Sequence, residues 1–81
     1  MVVSVKFHGL QRQVTHIKQI QVPLSEKTRV TDVLSYIKER YPDLPVNENT
    51  FLVTVNNHVT KLDQILKAND KISFIPHIGG G

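Results

Sequence analysis

Apolar and polar residues alternate at the start of the chain. Val3, Val5 and Phe7 are separated by Ser4 and Lys6, the period-two pattern of a strand with one buried face. His8-Gly9 closes that segment. A second alternation, Ile20, Val22 and Leu24, follows a polar stretch from Gln11 to Gln19 in which Val14 and Ile17 are possible contacts. The two segments predict a hairpin with a loose, long connection. Pro23 interrupts the second strand, and a proline cannot donate to a ladder, so that strand is expected at a sheet edge.

Val30, Val33, Leu34, Ile37 and Tyr41 then follow helical spacing. Thr31 is the expected cap, Asp32 suits the positive first turn, and Pro42 ends the helix. Beyond Pro45, Phe51, Val53 and Val55 form one face of another strand, with Leu52 and Thr54 on the other. Asn56-Asn57 suits a tight turn, because asparagine tolerates positive φ, and His58-Val59-Thr60 reads as a short return. Leu62, Ile65 and Leu66 suggest a single helical turn or a wide loop. Asn69-Asp70 turns the chain into a last strand, Lys71 to Ile75, with Ile72 and Phe74 alternating with Ser73 and Ile75.

The order strand, strand, helix, strand, short strand, strand offers one long helix to cover one face of a single mixed sheet. The first and last strands are then expected side by side and parallel, with the helix in a right-handed crossover. That arrangement is an α+β, β-grasp or ubiquitin-like roll of four to five strands. It predicts one packed unit over 1–76 and a flexible tail over 77–81.

Length and composition narrow the chemistry. At 81 residues a single domain buries roughly 60 to 65% of its unfolded surface, with little room for a deep walled pocket. Cysteine is absent, which removes disulfides, thiolate metal sites and cysteine nucleophiles. His8, His16, His58 and His77 lack ligand spacing, so no metal site is expected. Serines and threonines have no glycine elbow or evident base partner. Ten Lys and Arg against seven Asp and Glu give +3, but the lysines are scattered without interleaved aromatics, so no nucleic acid is expected. No signal peptide or membrane-length apolar run is evident, which leads to the expectation of a cytoplasmic protein with no membrane partner.

The stretch from Leu66 through Asn69-Asp70, Ile72, Phe74 and Pro76 to Ile78-Gly79-Gly80-Gly81 resembles the MoaD/ThiS family of sulfur carriers. That family shows a Gly-Asp turn, alternating apolars, Pro-Pro or Pro-X, an aliphatic residue, a small residue and a terminal Gly-Gly. Val5-Lys6-Phe7, Thr31-Asp32-Val33-Leu34 and Val55-Asn56 add to the likeness, which covers most of the chain. Asn69 stands where the family usually has glycine, and His77 where molybdopterin-type carriers often have a second proline. Length, the long first loop and the Pro76 region look most like the small subunit of molybdopterin synthase.

The resemblance implies that Gly81 carries the working carboxylate, which a partner adenylates with ATP and sulfur then converts to a thiocarboxylate donor. Gly79 and Gly80 would thread the tail into that partner. No bound cofactor is implied. The implied partners are a ubiquitin-activating-type adenylating enzyme, a sulfur donor system, and the large subunit of molybdopterin synthase or another sulfur acceptor enzyme. A free carboxylate is a poor electrophile until a leaving group masks its charge. Glycine without Cβ suits a narrow channel, but ordering three costs roughly 1–2 kcal/mol each, which the globular surface must offset. Leu52 and Ile75, apolar on the face opposite the core, are the candidate docking patch, with the rim of Phe74, Pro76, His77 and Ile78 beside them. Other destinations for the sulfur are cysteine, thiazole or another thio-metabolite. A ubiquitin-like modifier joined to lysine shares the same fold and tail, and a plain β-grasp interaction module is a third reading.

Overall fold

The computed structural model describes residues 1–44 and 51–76. Its elements run in the order β1 (Val2–Lys6), α1 (Leu10–Thr15), β2 (Gln19–Pro23), α2 (Val30–Arg40), β3 (Phe51–Val55), β4 (His58–Val59) and β5 (Lys71–Pro76). One five-stranded sheet has the order β2-β1-β5-β3-β4. β1 and β5 lie parallel, with Val5 beside Ile72, and the other pairs are antiparallel. This is the expected mixed sheet of a ubiquitin-like β-grasp fold. β2 is an edge strand, where the missing N–H of Pro23, opposite Val2, costs least.

Period-two alternation sends Val3, Val5, Ile72, Phe74 and Val53 to the same side, where they meet Val30, Val33, Leu34 and Ile37 of α2; all are buried. Each large apolar side chain so enclosed contributes about 1.5–3 kcal/mol. Tyr41, just past α2, sets its ring edge against Phe7 with centroids 5.7 Å apart. The chain turns there, with the Tyr41 N–H still donating to the Ile37 carbonyl at 2.8 Å, before Pro42 bars continuation.

The start of α2 corrects the expected cap. Arg29, not Thr31, is the N-cap, and the Asp32 carboxylate accepts from the Arg29 N–H at 2.8 Å. The next donors are satisfied from outside the helix: Val30 N–H reaches the Gln64 carbonyl at 3.0 Å and Thr31 N–H the Leu62 carbonyl at 2.9 Å. The segment holding Leu62, Ile65 and Leu66 therefore forms no helical turn. Its carbonyls cap α2, Ile65 bridges to Arg29, and Leu66 enters the core.

The connection between β1 and β2 is not loose. Gly9, at φ 52 and ψ −122, takes a backbone shape that side chains resist, and it starts α1; His16 at φ 64 ends it. This short helix buries Gln11 and Thr15 while leaving Leu10 exposed. Elsewhere the turn chemistry holds as expected. Asn56 and Asn57, with φ of 53 and 71, form the two-residue loop that sets Val55 opposite His58, and Asn69 takes φ 70 before β5.

Candidate functional site

The end of β5 brings together the described residues that the sequence singles out. Ile75 lies opposite Leu52 in the antiparallel register, and Pro76 opposite Phe51. Ile75 and Leu52 point away from the core and remain 39% and 37% exposed, adjacent apolar side chains where an isolated domain gains little. Phe74 corrects the expected patch: it is 0% exposed, since alternation turns it inward, and has no rim to offer a partner. Thr54 is a second correction. It sits on the outward face but is buried, flanked in register by Val59 and Ser73, and its hydroxyl reaches the Ser73 carbonyl at 3.5 Å. His77, Ile78, Gly79, Gly80 and Gly81 lie outside the described residues.

Two groups at this end are not evident from the sequence pattern. Val59, 67% exposed, extends the apolar face beside β3, and a shallow depression of about 550 Å³ runs past Leu52, Val59 and Leu62. Its strand is two residues long, too short for periodicity to register. The other is Gln11, 2% exposed, whose Nε2–H donates to the Phe74 carbonyl at 2.8 Å while its Oε1 accepts from the His8 N–H at 3.2 Å. Its only sequence signal is a polar residue one position past Gly9-Leu10.

Toward the start of β5 the same face turns polar. Ser4, Lys6, Asn56 and Lys71 border a concavity of about 430 Å³, and the Ser73 hydroxyl lies 3.3 Å from His8 Nε2. The outer face thus offers apolar contact beside the exit of the chain and two lysines farther away. Among the described residues no group of three or more His, Asp or Glu is placed to hold a metal ion. No described helix is long and apolar enough to cross a membrane.

The described domain is a ubiquitin-like β-grasp whose strand β5 ends beside the exposed aliphatic residues Leu52 and Ile75. The sequence matches the ThiS family over residues 5–81, and the chain belongs to that family, whose members are small sulfur carriers rather than catalysts. No curated protein matches the chain. Solved structures share its fold. The putative molybdopterin converting factor subunit 1 of Pyrococcus furiosus is 24% identical with a TM-score of 0.84, covering 96% of this chain and 99% of that one. The small archaeal modifier protein 1 of Methanosarcina acetivorans is 23% identical with a TM-score of 0.78, covering 99% and 96%. A third, in a complex of subunits 1 and 2 of the molybdopterin-converting factor of Helicobacter pylori, is 22% identical with a TM-score of 0.69 and full coverage of both chains.

Proposed function

We propose that this chain is a cytoplasmic sulfur carrier whose Gly81 carboxylate is adenylated by a ubiquitin-activating-type enzyme with ATP, converted to a thiocarboxylate, and spent as a sulfur donor in molybdopterin synthesis. The observation that carries the reading is the family match through residue 81, which includes the three terminal glycines following β5. Residues 77–81 act as the tail, Gly79 and Gly80 thread it, and Leu52 and Ile75, with Pro76, His77 and Ile78, meet the partner. The likeness to a chain in the Helicobacter pylori complex of subunits 1 and 2 of the molybdopterin-converting factor supports a large partner subunit as the sulfur acceptor. In that role the chain is a protein cosubstrate, and the acids and bases of the reaction belong to its partners.

The test is the mass of the chain after incubation with a purified adenylating enzyme of the ubiquitin-activating type, ATP and a sulfide source. The expected product has one oxygen exchanged for sulfur at the C-terminus. A chain lacking Gly81 should fold as before and give neither adenylate nor thiocarboxylate; activation of that truncated chain would sink the reading. Loss of molybdopterin-dependent activity on gene deletion supports the molybdenum pathway, whereas cysteine or thiazole auxotrophy redirects the sulfur. The likeness to a small archaeal modifier protein favours a second reading, in which the activated carboxylate passes to lysine. An isopeptide remnant on other proteins distinguishes it.

A further inference from the structure

β1 and β5 run parallel, and in a parallel ladder each hydrogen-bonded step advances two residues along both strands. The ladder begins where the Ser4 N–H donates to the Asp70 carbonyl at 2.9 Å, and the register sets Lys6 beside Ser73. Carried forward by the same step, it brings the His8 N–H toward the Phe74 carbonyl. That rung is made through a side chain: His8 N–H donates to Gln11 Oε1 at 3.2 Å, and Gln11 Nε2–H donates to the Phe74 carbonyl at 2.8 Å. A carboxamide carries the donor and acceptor of a peptide group. Gln11 therefore acts as an extra peptide unit inserted between the strands where they part. Both Gln11 and Phe74 are buried, so water is a poor substitute for the bond to the Phe74 carbonyl.

We infer that Gln11 is a positioning residue for activation of the C-terminus: its carboxamide fixes where β5 leaves β1, and so the line on which the chain passes Pro76 toward its carboxylate. The inference rests on the carrier reading. Without the amide the strands either close by one rung or leave the His8 N–H and the Phe74 carbonyl unpaired, and either outcome changes how β5 sits against β1 while its ladder to β3 remains. Misplacement by about 1 Å can cost about a hundredfold in a reaction that needs near-attack geometry. Leu52 on β3 and Ile75 beside it in register keep their outward face, because the β3 ladder holds β5 from its other side. Gln11 should consequently govern the rate at saturation and leave the affinity for the activating enzyme alone.

The experiment compares thiocarboxylate formation by the wild-type chain, Gln11→Met and the core variant Val33→Ala over a range of carrier concentrations, with a purified adenylating enzyme of the ubiquitin-activating type, ATP and a sulfide source. Gln11→Met keeps the volume of the side chain and removes both hydrogen bonds. The expected result is a kcat lower by about tenfold or more with KM changed less than about twofold. Val33→Ala, destabilised but with its rung intact, should keep its kcat. Equal kcat for wild type and Gln11→Met overturns this inference alone, whereas an inert wild-type chain overturns the carrier reading and this inference with it. Should Gln11→Met fail to fold, the wild-type chain still decides: a scalar coupling across the hydrogen bond from the Gln11 amide to the Phe74 carbonyl is expected by NMR, and its absence sinks the proposal.

Discussion

At its start β5 is pinned by several polar contacts from nearby turns, whereas toward its end it keeps its ladder to β3 but reaches the β1 side through the Gln11 amide, with a core-facing phenyl ring beneath. Asn56 Nδ2 donates to Asp70 Oδ1 at 2.9 Å, Lys71 N–H to Asn56 Oδ1 at 3.0 Å, and Lys67 N–H to Asp70 Oδ2 at 2.7 Å. At the other end Gln11 holds the Phe74 carbonyl, Ile75 stands outward, and the chain leaves at Pro76. The difference matches the two jobs of the strand. Its start fixes register, which a one-residue slip would invert face for face. Its end has to be definite in direction yet leave the outward face open to a partner.

The largest effect comes from the part of the exit that belongs to the core. Phe74→Ala removes a fully buried ring and should cost about 3–5 kcal/mol, read from the urea midpoint. Against a total stability on the order of 5–15 kcal/mol, that leaves a weakly folded protein. A loss below about 1 kcal/mol would mean that Phe74 does not anchor this end.

A smaller loss is expected at the start. Asn56→Ala removes a donor and an acceptor and places alanine at φ 53. Because these bonds are solvent-exposed, the expected cost is about 1–2 kcal/mol with the fold retained. A double-mutant cycle with Asp70→Ala should show coupling between the two residues. Strict additivity would remove the network from the account of register.

The start was largely legible in the sequence and the end was not, for a physical reason. Asn56-Asn57 and Asn69 act through their own backbone angles, so residue type alone announces them. The alternation of Val3, Val5 and Phe7, the helical set from Val30 to Ile37, and Pro23 at an edge are likewise local signals. Gln11 works through Phe74, far along the chain. α1 buries polar Gln11 and Thr15 and exposes Leu10, which inverts the pattern that periodicity detects. Thr54 follows the alternation, yet its cross-strand neighbours Val59 and Ser73 cover it, and strand period is blind to neighbours. The cap of α2 escapes sequence reading for the same reason: Thr31 is a good capping residue, but carbonyls of Gln64 and Leu62 take the Val30 and Thr31 N–H groups, so the helix begins two residues earlier, after Arg29.

The smallest effect on stability should accompany a large effect on recognition, and it isolates the outward side of the exit. Leu52→Asp with Ile75→Asp alters two adjacent side chains that are both more than a third exposed and opposite the core. Surface changes of this kind usually move stability by about 0.5 kcal/mol or less each, although two like charges facing each other across strands add a modest repulsion. The double variant should melt close to the wild type and keep its far-UV circular dichroism. Its affinity for the adenylating enzyme should fall by about tenfold or more, because charge replaces apolar area at the centre of the patch. Together with Gln11→Met, expected to lower the rate at saturation without changing affinity, this separates docking from delivery at one strand end. If the double variant binds as the wild type does, the apolar face is incidental, and the partner reads another part of the surface.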